Sequence, residues 1–131
     1  MSQFVLTTDA SKTAITAILS QVQDGVERPI SFVSRQLNPA ESRYSASELE
    51  MLAVSWATRH FRCYLYGKQF VLRKDHAALK YMHNFAGNNS RLLRWSFRLS
   101  EFDFVVEYRP GTQIRHAHAL SRAVQAVTQD L

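Results

Sequence analysis

Phe4-Val5-Leu6-Thr7-Thr8-Asp9 is a short alternating run that ends on a carboxylate. Period-two alternation marks a half-buried strand, and an acid at its end lies at the rim of a sheet. A second apolar run, Phe70-Val71-Leu72-Arg73-Lys74, ends the same way, on Asp75. Between them, Ala14 to Gln21 predicts a strand, Asp24-Gly25 a hairpin turn, and Pro29-Ile30-Ser31-Phe32-Val33 a further strand. The domain therefore opens with three antiparallel strands.

Asn38-Pro39-Ala40 breaks that pattern, and Ser45-Ala46-Ser47-Glu48 is a capping box that starts a helix over about 46–63. Leu49, Leu52, Ala53 and Trp56 lie on one stripe of it. After the 68–74 strand come a short helix opened by Asp75, a loop over 84–89 and a helix capped by Ser90 that runs to about Glu101. A strand at 104–108, a Pro110-Gly111 turn and a last helix over about 116–127 complete the chain. The fold class is α/β with a mixed sheet. Helical connections allow the two later strands to lie parallel to the first, and right-handed crossovers bring Asp9 and Asp75 to the same edge.

One domain accounts for residues 1–131, with a core over about 3–123 and a polar tail at 124–131. A hydrophobic fraction of 46% sets the chain apart from disordered sequences. Sixteen Lys and Arg against eleven Asp and Glu give a net charge of +5, which suits a polyanionic partner. The single cysteine, Cys63, excludes an internal disulfide and a Cys-based zinc site; the expectation is a lone buried thiol. No apolar run reaches the roughly 20 residues of a membrane span, and the N-terminus has no signal-peptide pattern, so the expected location is intracellular with no membrane partner.

Acids at strand ends are the oxygen donors that hard divalent cations require, and Mg2+ commonly bridges such acids and substrate phosphates. Glu48 and Glu50 compete for the place of a third donor. At about 100° per residue they lie about 160° apart, so they cannot serve one site. Glu50 lies beside Ala53, Val54, Ala57 and Phe61, whereas Glu48 has a task in the capping box. The reading assigns Glu50 to the metal and Glu48 to the helix. Arg91, Arg94 and Arg98 share an arc of about 60° and are candidates for tracking a phosphate backbone, against the alternative of a solvated helix face.

The ordered series Leu6-Thr7-Thr8-Asp9-Ala10-Ser11, Pro29 to Glu41, Tyr44 to Val54, Tyr64-Leu65-Tyr66-Gly67, Asp75-His76-Ala77-Ala78-Leu79-Lys80, Glu107-Tyr108-Arg109-Pro110-Gly111 and Ala119-Leu120-Ser121-Arg122 resembles the ribonuclease H domain of gypsy-type LTR retrotransposon polyproteins. The resemblance implies a ribonuclease H-like fold: a five-stranded mixed sheet with helices on both faces. It implies hydrolysis of the RNA strand of RNA–DNA hybrids and an adjacent reverse transcriptase domain. The catalytic acids it implies are Asp9, Glu50 and Asp75, holding two Mg2+ (Mn2+ being the alternative) in a two-metal site.

The sequence departs from that family at His118, which stands where a fourth acid is usual, and at Lys74, where a small hydroxylated residue is usual. Imidazole nitrogen is a poor partner for Mg2+ but suits Mn2+, and Lys74 beside Asp75 is expected to keep that acid ionised while repelling a metal. Two readings therefore stand: a metal-dependent endoribonuclease weakened at His118, or an impaired domain that binds nucleic acid or protein.

Overall fold

Asp24 and Gly25 adopt φ of 54° and 78°, and two successive positive values are what a tight two-residue hairpin needs to match strand twist. That turn joins β2, Ala14–Gln23, to β3, Val26–Gln36, with Gln23 opposite Val26. Residue 24 tolerates the left-handed region because it is Asp, and residue 25 because it lacks a Cβ. The computed structural model describes residues 2–74 and 90–108.

β1, Ser2–Ala10, pairs antiparallel with β2 and parallel with β4, Gln69–Lys74; β5, Asp103–Tyr108, lies parallel to β4. The five-stranded sheet has the order β3-β2-β1-β4-β5. The mixed sheet, with three antiparallel strands followed by two parallel to the first, is as the sequence predicts. All the strands but β4 extend beyond the predicted runs, most of all β3, because backbone pairing continues through polar residues once the neighbouring strand is in place. At Leu19/Ser20 the register with β3 shifts, and Pro29 sits opposite Ser20 at this irregularity of an edge strand, where a missing N–H is tolerated.

α1, Ala46–His60, packs on β1 and β2, and α3, Ser90–Leu99, packs against α1. The predicted 46–63 helix breaks at Phe61 (φ −102°, ψ 23°) and resumes as α2, Arg62–Leu65. Ser90, expected as the cap of α3, is itself helical where the described residues resume. Leu6, Leu19, Phe70 and Leu72 from the sheet meet Met51, Val54 and Ala57 from α1, Phe61 between α1 and α2, and Trp95, Leu99 and Phe102 from the α3 segment. Cys63 is exposed, not buried as expected. In so short a helix Phe61 and Leu65 take the inward positions and leave Cys63 on the outside. The short helix from Asp75, the 84–89 loop and the helix expected over about 116–127 lie outside the described residues.

Arg73 fastens both edge strands. Its guanidinium forks onto Glu27 of β3 (2.9 and 3.0 Å) and its Nε donates to Glu107 of β5 (2.8 Å). Burial disfavours its charge, but the two carboxylates outweigh burial and the pKa rises. A second fork sets the approach to α1: Arg35 donates to both oxygens of Glu41 (2.9 and 2.8 Å), and Glu41 Oε1 also accepts from Asn38 N (2.9 Å). The Arg35 hydrogen bond lowers the Glu41 pKa against the opposing effect of burial.

A depressed carboxylate stabilises the fold above its unfolded pKa, and that contribution is lost as pH falls through the folded value. Glu41→Gln should therefore lower stability by about 1–2 kcal/mol at pH 7, with the deficit shrinking as pH drops below the ordinary carboxylate range. Urea unfolding at pH 7 and pH 3.5 checks this; a deficit that is unchanged between them would rule it out.

Candidate active site

β4 lies beside β1 with Leu72 opposite Leu6 and Arg73 opposite Thr7. The strand leading to Asp75 thus ends level with the one carrying Asp9; Asp75 itself lies outside the described residues. Alternation sends neighbouring side chains to opposite faces. Thr8 is buried on the face that carries Leu6 and Leu72, under α1. Asp9 is half-buried and is directed to the other face; its Oδ1 accepts from Ala10 N (2.9 Å). Its cross-strand neighbour is Thr16, whose Oγ1 is buried with no hydrogen-bond partner among the described residues.

Glu48 and Glu50 part as helix geometry predicts. Glu48 closes the capping box, accepting from Ser45 N (2.9 Å) while its own N–H donates to Ser45 Oγ (3.2 Å). Its other oxygen meets Arg91 (3.3 Å). Glu50 is only 6% exposed, on the side of α1 that meets the sheet.

The cation that meets Glu50 is Lys74. At 1% exposure it is among the most deeply buried side chains described, and its Nζ donates to Glu50 Oε2 and to Thr8 Oγ1 (3.0 Å). Asp75, beside which the sequence sets Lys74, lies outside the described residues; within them the ammonium meets Glu50 and Thr8. The reason is strand alternation, which turns residue 74 under α1 along with Thr8. Leaving either charge of a buried pair alone typically costs about 3–5 kcal/mol, so the two are bound to each other's presence. Thr8 escaped notice as a contributor because a threonine in a strand gives no signal of its own.

The three arginines of α3 differ in their surroundings among the described residues. Arg91 stacks on Tyr44, 4.2 Å from the ring centre, besides meeting Glu48. Arg94 is exposed. Arg98 lines a cleft of about 390 Å³ with Arg35, Leu52, Ser55, Trp56, Arg59, His60 and Trp95. No pattern in the sequence joins Arg35, Arg59 and Arg98, since they come from three separate elements. His118, like His76, His83 and His116, lies outside the described residues, and among the described residues no group of three His, Cys, Asp or Glu is placed to hold a metal.

The sheet order, with an acid-bearing helix laid over the ends of β1 and β4, defines a ribonuclease H-like domain. Solved structures agree on that fold. The chain superposes with a TM-score of 0.64 on the foamy viral protease-reverse transcriptase in complex with RNA/DNA hybrid, at 15% identity over 82% of this chain and 15% of that one. On LC11-RNase H1 in complex with RNA/DNA hybrid the TM-score is 0.58, at 9% identity, with 98% of this chain and 100% of that one covered. Residues 1–102 match the family described as the RNase H-like domain found in reverse transcriptase, and the chain belongs to that family. It is 50% identical over 120 residues to the retrovirus-related Pol polyprotein from transposon 297 of Drosophila melanogaster, covering 92% of this chain and 11% of that protein. The Tf2-3 polyprotein of Schizosaccharomyces pombe is 37% identical over 127 residues, 93% of this chain and 10% of that protein. The chain thus spans about a tenth of the length of these curated relatives.

The donors meet the family's metal requirement unevenly. Asp9 offers hard oxygen, and the unpartnered Thr16 hydroxyl lies across from it. Glu50 does not fit a divalent ion in this arrangement, because a buried ammonium already occupies Oε2. Loss of the other acid should be milder: Glu48→Ala removes the capping box and the Arg91 pair and should lower stability by about 1 kcal/mol in urea unfolding. A loss as large as that of Glu50→Gln would show that the two acids have been assigned the wrong way round.

Proposed function

We propose that this domain is a metal-dependent endoribonuclease directed at the RNA strand of RNA–DNA hybrids, working beside a reverse transcriptase domain in a longer polyprotein. Asp9, Glu50 and Asp75 are the Mg2+ donors in this reading, Glu50 only once Lys74 has left its oxygen, with Mn2+ as the alternative metal and His118 in the fourth position. The observation that supports it best is the parallel β1–β4 pairing, which ends the strand that carries Asp9 and the strand that leads to Asp75 side by side. Family membership and the net charge of +5 support the same reading. Arg94 and Arg98 are the better phosphate contacts of the three on α3, since Arg91 is already committed to Glu48 and Tyr44. Recognition of the hybrid would rest on its shape and 2′-hydroxyls rather than on base edges.

A second reading, a domain that binds the hybrid without cutting it, is favoured by the engagement of Glu50 with Lys74. Cleavage of an end-labelled hybrid separates the two. In Mn2+ the wild type should cut, Asp9→Asn should be slower by more than about 100-fold, and His118→Asp should raise Mg2+ activity roughly tenfold. Uncleaved but bound hybrid for the wild type and His118→Asp alike, in either metal, overturns the nuclease reading in favour of the second. In the same binding assay, Arg94→Ala and Arg98→Ala should each reduce the salt slope by about 0.9 if they hold phosphates of a duplex.

A further inference from the structure

The geometry points to Lys74 as a tethered cation that stands in for a divalent ion at Glu50, so that the domain folds with this acid compensated and admits metal there only by displacing the ammonium. This deepens the proposed function and rests on its assignment of Glu50 as a metal donor.

Three observations carry it. Both charged groups are buried, Lys74 at 1% and Glu50 at 6% exposure, so neither is satisfied by water and each depends on the other. The ammonium is held at two points, by Glu50 Oε2 and by Thr8 Oγ1, which fixes it at the strand end rather than leaving it to wander. Its four-carbon stem starts from the last residue of β4 and lies within the core, so the charge cannot diffuse away as a dissolved ion does. Two cations on one buried carboxylate oxygen repel strongly because little solvent screens them. A metal ion and Lys74 therefore exclude each other at Glu50. The pair also holds Glu50 toward Thr8, on the face of β1 opposite the one to which Asp9 is directed.

The test is metal-linked stability of the full chain. In the wild type 10 mM Mg2+ should raise the melting temperature over that in EDTA by less than half as much as in Lys74→Thr, since metal at Glu50 must first displace the ammonium. Lys74→Thr keeps a hydroxyl beside Thr8 and exposes the carboxylate. It should melt roughly 10 °C lower in EDTA and regain at least half of that in Mg2+ or Mn2+. Calorimetric titration should show Mn2+ binding at least about tenfold tighter than in the wild type, as expected when a neighbouring like charge is removed. Adding Glu50→Gln to Lys74→Thr should abolish both gains.

If Lys74→Thr proves too unstable to handle, a charge-removal cycle reads the same coupling. Glu50→Gln alone should melt well below the wild type, and Lys74→Met with Glu50→Gln should recover most of the loss. Purely additive losses would sink the proposal, as would a wild-type melting temperature that rises with Mg2+ as much as that of Lys74→Thr. The hybrid assay keeps the two levels apart. Cleavage by the wild type but not by Asp9→Asn, with no metal response in Lys74→Thr, overturns the tethered cation and leaves the nuclease standing. A metal response in Lys74→Thr with no cleavage by any variant does the reverse.

Discussion

A carboxylate carried by a helix into the seam between that helix and a sheet has to be met by positive charge, because burial strips away most of its solvation. Glu50 is in that position, and the arrangement around it follows from the need to satisfy it. α1 brings the acid in, β1 and β4 end side by side beneath it, and the long side chain at the last residue of β4 reaches back to supply the charge. The parallel register that sets Thr7 against Arg73 also sets Thr8 beside Lys74, which is why a threonine hydroxyl becomes the second acceptor. In a site assembled for divalent ions, that compensation would be left to the metal. In this chain the ammonium of Lys74, carried on β4, meets the carboxylate.

Two charged forks maintain the frame on which that site rests. Arg73 joins the two edge strands across the sheet from a central one, and Arg35 with Glu41 and Asn38 fixes the connection from β3 to α1. Neighbouring side chains of β4 thus do opposite things. Lys74 turns under α1 to meet one acid in the core, while Arg73 turns to the far face to meet two at its margins.

Much of the fold was legible in the sequence because it is written locally. Asp24-Gly25 admits few backbone conformations, the Ser45–Glu48 box names its own helix start, and the alternation in β1 follows from burial on one face. That Glu48 caps the helix while Glu50 turns inward was legible for a similar reason, since angular position on a helix is fixed by count. What escaped were features that depend on which side chains meet across elements. The meeting of Lys74 with Glu50 and Thr8 is set by strand register, and Cys63 lies outside because Phe61 and Leu65 claim the inner positions. The cleft between α1 and α3 was invisible in the same way: its arginines are remote in sequence and no spacing rule links them.

The margin formed by β3 has its own bearing on behaviour at high concentration. An unpaired strand margin invites another molecule to zip onto it, backbone to backbone. Here Pro29 lacks the hydrogen such zipping needs, the register slip beside it spoils the spacing, and Arg28 next to it adds charge. Copies crowded together are thereby discouraged from stacking into continuous ribbons along this side, even though Ile30 and Phe32 are exposed on the same strand.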